Sequence, residues 1–183
     1  LNYPRIVLAR RTFGVATACY AVLHLSLYVL DQKFDLFKVA SEIVLRLYLT
    51  IGFVALAGLA VLAATSTDAM VRRLGGATWR RLHRIIYAIA LLALIHFFQQ
   101  TKADVSVPVF VSGLFTWLMG YRLLVWRGLF DGRMAAWWPP LLALLAAAGT
   151  AFGEAVYYWI KLGVNPMLVL EAHLMFEFSI RPA

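Results

Sequence analysis

Four histidines punctuate this chain. Three of them, His24, His83 and His96, lie in or at the edge of stretches otherwise built of Leu, Ala, Ile, Val and aromatic residues. Imidazole inside hydrocarbon is expensive unless it binds something. Two such imidazoles on facing helices can hold an iron porphyrin from both sides, and that chemistry moves electrons. The bland alternative for any one of them is a hydrogen bond between helices. The fourth, His173, sits among Glu171, Phe176 and Glu177 and reads as structural. No carboxylates accompany the apolar histidines, which argues against a zinc or di-iron centre.

The elements that must position these side chains are membrane helices. The chain has 183 residues, 63% hydrophobic and 14% charged, whereas soluble domains carry about a quarter charged residues. Five apolar stretches approach the ~20 residues needed to cross the bilayer core. They run over about 12–30, 43–64, 85–98, 107–126 and 137–160, an all-α bundle of about five transmembrane helices. Pro139 and Pro140 suit the first turn of the fifth, where a missing N–H does no harm. The segment 166–183 is an interfacial stretch or the start of another element. The residues Thr65, Ser66, Thr67 and Asp68 offer N-caps for a short helix ending at Gly75 and Gly76. The domain reading is 1–126 for a transmembrane site domain and 127–183 for a further helix and tail. The chain opens at Leu1 in what reads as a loop, so a fragment of a six-helix or larger bundle is expected.

Charge orients the bundle. The net charge is +8, but the basic residues cluster beside apolar spans, where topology accounts for them and nucleic acid is not required. Arg5, Arg10 and Arg11 precede the first span. Arg72, Arg73, Arg80, Arg81 and Arg84 lie between the second and third, and Arg127 and Arg133 between the fourth and fifth. The intervening loops carry mixed charge. The positive-inside rule puts Leu1 and the Arg-rich loops in the cytoplasm. Cys19 is alone, so it has no disulfide partner within the chain and is expected to pack.

The first and third spans then run in the same direction. The interval from Arg11 to His24 equals that from His83 to His96, about 20 Å at 1.5 Å rise per residue. His24 and His96 therefore share a depth near the outer leaflet, and His83 shares the inner depth of Arg10 and Arg11. On an ideal helix His83 and His96 are about 140° apart, so both reach one column only if the helix is distorted. Arg46 at the outer end of the second span and Lys102 after His96 are long cations. They can reach haem propionates or simply anchor helix ends in headgroups.

The run Ala21-Val22-Leu23-His24-Leu25-Ser26-Leu27-Tyr28 is followed by Arg46-Leu47-Tyr48-Leu49-Thr50-Ile51-Gly52. Then come Thr65-Ser66-Thr67 with Met70, Trp79-Arg80-Arg81-Leu82-His83, Tyr87 and Ile95-His96. From about Tyr3 to Trp126 this succession resembles the MsrQ (YedZ) family of haem-binding membrane subunits, within the ferric reductase-like transmembrane superfamily. Oxidase-type members of that superfamily carry two histidines on each of two helices. Here the third span has both, His83 and His96, but the first has only His24. Arg10 stands near the other position, and arginine, with its pKa above 12, is a poor iron ligand. The resemblance thus implies a b-type haem between His24 and His96, and leaves open a second at His83, with Arg10 near it.

What the resemblance implies is a multi-pass subunit of the bacterial inner membrane. It would carry electrons from a cytoplasmic flavin reductase or the quinone pool to MsrP, a periplasmic molybdopterin enzyme that reduces methionine sulfoxide in oxidised proteins. FMN is a further cofactor reported for some members, and quinol a further donor. Two other readings stay open. One is a ferric reductase or oxidase-type haem protein. No Gly-x-Gly-x-x-Gly after a strand is present, so it would need a separate flavin reductase. The other is a cofactor-free membrane protein, which predicts no Soret absorbance.

Overall fold

The computed structural model describes residues 4–101, 104–128 and 137–174, and all regular structure among them is helical. Contacts divide the chain into two compact units, residues 1–100 and 101–183, which are described separately. Five helical segments are long and apolar enough to cross a membrane: Ala9–Asp31, Leu47–Ala64, Gly76–Gln100, Ser106–Trp126 and Trp138–Leu162. Phe13, Tyr20, Leu27, Phe110, Leu144 and Ile160 are all exposed on them. Water would not tolerate so much exposed hydrocarbon, whereas lipid does. The chain is an all-α, multi-pass membrane protein.

The first unit contains α1 (Pro4–Asp31), α2 (Leu36–Leu45), α3 (Leu47–Ala64), α4 (Asp68–Leu74), α5 (Gly76–His83) and α6 (Ile86–Gln100). Asp35 starts α2 by accepting a hydrogen bond from the Lys38 amide at 2.9 Å. The apolar run from residue 43 suggests continuous helix into the second span, but Arg46 is extended (φ −107°, ψ 107°) and separates α2 from α3. The break frees carbonyls that need donors. The Thr50 hydroxyl supplies one, to the Ile43 carbonyl at 2.6 Å. The second span therefore begins at Leu47 rather than at 43.

The turn before α4 follows its cap chemistry. Thr67 accepts from the Met70 amide at 3.2 Å. Gly75 ends α4 at φ +74°, a conformation that L side chains resist. The third span is longer than its apolar core suggests, because α5 leads into α6 through a tight turn at Arg84 and Ile85. Arg84 donates to the Arg81 carbonyl at 3.2 Å and Ile85 to that of Leu82 at 3.1 Å. The turn interrupts a straight helix between His83 and His96.

The core of the unit is the seam between α3 and α6. Ala55, Leu62 and Ile89 are buried there, flanked by Leu59, Leu82 and Leu92. Close approach rests on small residues, as is usual between helices in lipid. A Cβ at Gly58 would fall 2.8 Å from the Ile89 side chain. Helix α1 also packs on α3, less extensively than α6 does. Arg11 pairs with Asp68 and ties the start of α1 to α4.

The second unit contains α7 (Ser106–Trp126), α8 (Trp138–Leu162) and α9 (Pro166–Leu174). Pro139 and Pro140 occupy the first turn of α8, and the Pro139 carbonyl accepts from the Trp117 indole at 3.1 Å. Helix α9 begins the segment whose nature the sequence left open; residues 175–183 lie outside the described part. Glu154, only 2% exposed, pairs with His173 of α9 at 3.2 Å.

Candidate functional site

Helical periodicity on α1 places Ala21, His24, Leu25 and Tyr28 on one stripe, at i, i+3, i+4 and i+7. All four line a cavity of 170 Å³. The opposite wall is the α3 stripe Leu49, Gly52, Phe53 and Leu56, and α6 contributes Ala93 and His96. Ile43 of α2 closes one side. The structure thus brings His24 and His96 to one lining, as their matched depths suggest.

His96 is held from behind. Its Nδ1 lies 2.8 Å from the Tyr48 carbonyl. A carbonyl only accepts, so Nδ1 carries the proton and the Nε2 lone pair is left available. A histidine that donates one ring N–H to a backbone carbonyl and offers the other nitrogen is the usual arrangement of a metal ligand. The Tyr48 ring also stacks against the imidazole, with centroids 6.5 Å apart. Gly52 makes the room: a Cβ there would lie 2.8 Å from both Cε1 and Nδ1 of His96.

Next to the cavity lies a polar chain that the sequence reading did not assemble. The Tyr28 hydroxyl donates to Glu42 Oε2. Arg46 Nη2 donates to Glu42 Oε1 at 3.3 Å, and its Nη1 donates to the Tyr48 hydroxyl at 3.2 Å. The hydrogen bond to Tyr48, then the charge of Glu42, raises the Arg46 guanidinium above its ordinary pKa. Tyr28 was findable, one turn beyond His24 on the same face. Gly52 and the Tyr48 carbonyl were not, because their roles depend on how α6 meets α3.

The other expected site residues lie elsewhere. His83 is half-buried and does not line the cavity. Its ring stacks on Trp79 at 3.9 Å, its Nδ1 donates to the Trp79 carbonyl at 3.1 Å, and its Nε2 lies 3.3 Å from the Ser66 hydroxyl. The Trp79 indole donates to the Thr65 carbonyl at 2.9 Å, so His83 belongs to a clamp between α5 and the end of α3. Arg10 is exposed on α1, and Arg46 is exposed at the α2–α3 break. Lys102 lies outside the described residues.

The donor set fits a haem. Two imidazoles meet one apolar lining that holds no carboxylate, and the Nδ1 of His96 is engaged by a backbone carbonyl. Apolar walls around facing histidines are what a bundle offers a porphyrin.

Comparison with known proteins agrees with this. A family model described as ferric reductase like transmembrane component matches residues 1–94, just over half of the chain. The chain is 44% identical over 116 residues to the protein-methionine-sulfoxide reductase heme-binding subunit MsrQ of Rhodospirillum rubrum, covering 63% of this chain and 56% of that one. The MsrQ of Caulobacter vibrioides is 40% identical over 129 residues, 70% of this chain and 60% of the relative. That of Xanthomonas campestris pv. campestris is 41% identical over 128 residues, 69% and 57%. The match thus spans less than two thirds of the length of these relatives. No solved structure matches. With the family model matched over the very helices that carry His24, Gly52 and His83, the chain belongs to the ferric reductase like transmembrane family.

Proposed function

We propose that this chain is a b-type haem electron-transfer subunit of the bacterial inner membrane, with His24 and His96 as axial ligands. The observation that carries the reading is the shared cavity of these two histidines, with His96 Nε2 left available by the Tyr48 carbonyl. A bound haem supplies reversible one-electron chemistry. The protein's own part is to hold the two imidazoles, exclude water with the α1 and α3 stripes, and fix the His96 tautomer. Arg46 bonds the Tyr48 hydroxyl beside the site, and we assign it to a propionate. His83, with Arg10, is kept as the candidate for a second haem.

The likeness to MsrQ subunits supports the rest of the reading. Electrons enter from a quinol or a cytoplasmic flavin reductase and leave to a periplasmic MsrP, which repairs methionine sulfoxide. FMN is the further cofactor to be sought. The Arg-rich loops support a cytoplasmic Leu1 side. The test is the absorption and electron paramagnetic resonance spectrum of the purified protein. We expect a low-spin bis-imidazole haem that is lost in His24→Ala and in His96→Ala. Full retention in either variant sinks the assignment.

A further inference from the structure

The two ligand-bearing helices are held with unequal firmness. Helix α6 interlocks with α3 through Gly52 against His96 and Gly58 against Ile89, so His96 has little freedom. Helix α1 packs on α3 less extensively, and His24 is exposed on it. What fastens α1 beside the cavity is the hydroxyl of Tyr28, one turn from His24 on the same stripe, bonded to Glu42. Glu42 uses its other oxygen for Arg46, which bonds the Tyr48 hydroxyl, and the Tyr48 carbonyl accepts from His96. Side-chain and backbone groups thus run without a gap from the His24 face of α1 to the His96 ring.

We propose that Glu42 is a positioning residue for the axial ligands: it bridges α1 to α3 through Tyr28 and Arg46 and so fixes His24 opposite His96. This rests on the haem reading above. The residue type matters. A carboxylate accepts from Tyr28 and Arg46 at once, one oxygen each, and both bonds are stronger for its charge. A glutamine can accept from Arg46 and donate to the Tyr28 hydroxyl only by reversing the Tyr28 bond, and it lacks the charge that strengthens both bonds, so the bridge is loosened. With the bridge open, α1 drifts and His24 becomes a labile ligand, while His96 stays in place against Gly52.

A bis-imidazole iron has no open position for carbon monoxide, so carbon monoxide binding to the reduced protein reads out the His24 bond. We expect Glu42→Gln to keep its haem but to raise the carbon monoxide-reactive fraction about tenfold, the weight of one hydrogen bond to a charged group. A high-spin signal should appear in the oxidised protein. Tyr28→Phe removes a single hydroxyl and should act in the same direction, which keeps the test alive if Glu42→Gln folds poorly. The double variant should be no worse than Glu42→Gln alone, because both changes open one bridge. Wild-type exclusion of carbon monoxide in both single variants overturns the proposal, as do effects that multiply independently. His24→Ala, run alongside, separates the two readings. If it is fully reactive while Glu42→Gln is not, only the bridge fails. If it keeps the wild-type low-spin spectrum, the ligand assignment fails and the bridge with it.

Discussion

Gly52 and His96 fit together without space for a methyl group: a Cβ at position 52 would stand 2.8 Å from two atoms of the imidazole ring. The ring is also bonded to the Tyr48 carbonyl, one helical turn earlier on α3. Gly52→Ala must therefore push the ring off that carbonyl or part α3 from α6. We expect it to lose most bound haem or to shift the spectrum from low spin, while the helix content by circular dichroism stays unchanged. Normal haem content and spectrum in Gly52→Ala would show that His96 does not need its present orientation.

The three apolar histidines should separate in a haem titration. His24→Ala and His96→Ala are expected to leave no low-spin haem at the shared cavity. His83→Ala should lower haem content partially or not at all, because the ring is engaged with Trp79 and lies near Ser66. Complete haem loss in His83→Ala alone, with the fold intact, would mean that the wrong histidines have been paired.

Arg46 gives a charge test. Removing a cation beside a haem favours the oxidised, more positive state, so Arg46→Leu should lower the midpoint potential. The residue is exposed, so the shift should be small and should shrink in high salt. An unaltered potential at low salt would make Arg46 a headgroup anchor only.

In the second unit, buried Glu154 pairs with His173. His173→Ala removes the side chain paired with Glu154 among the described residues. Breaking a fully buried pair costs about 3–5 kcal/mol. His173 keeps 40% of its side-chain surface, so we expect roughly 2 kcal/mol here. Glu154→Gln with His173→Ala should recover part of the loss. Thermal unfolding in detergent checks this, and an unchanged midpoint in His173→Ala would make the contact incidental.

Direction can be read in sealed, oriented vesicles. Reduced haem should be reoxidised by MsrP added on the side away from the Arg-rich loops. Charge reversal at Lys33 and Lys38, both exposed between α1 and α3, should weaken that reaction, most at low salt. Reoxidation only from the opposite face would refute the topology or the electron path.

The sequence by itself determined the class and the matched positions of His24 and His96 along their spans. Apolar runs long enough to cross a bilayer can only be helices, since backbone groups in lipid must be satisfied internally. The regular rise of a helix then sets where along each span a histidine falls. The cap at Thr67, the stop at Gly75 and the prolines opening α8 were also legible, because those signals act within one turn of chain. What needed tertiary structure was everything set between helices. The break at Arg46 lies inside an apolar run, and hydropathy does not register a change of direction. Gly52 is an unremarkable small residue until His96 arrives from α6. Glu42 reads as one more charge in a mixed loop until α1 brings Tyr28 to one oxygen and Arg46 takes the other. Periodicity assigns a residue to a face, but only packing decides which atoms that face meets.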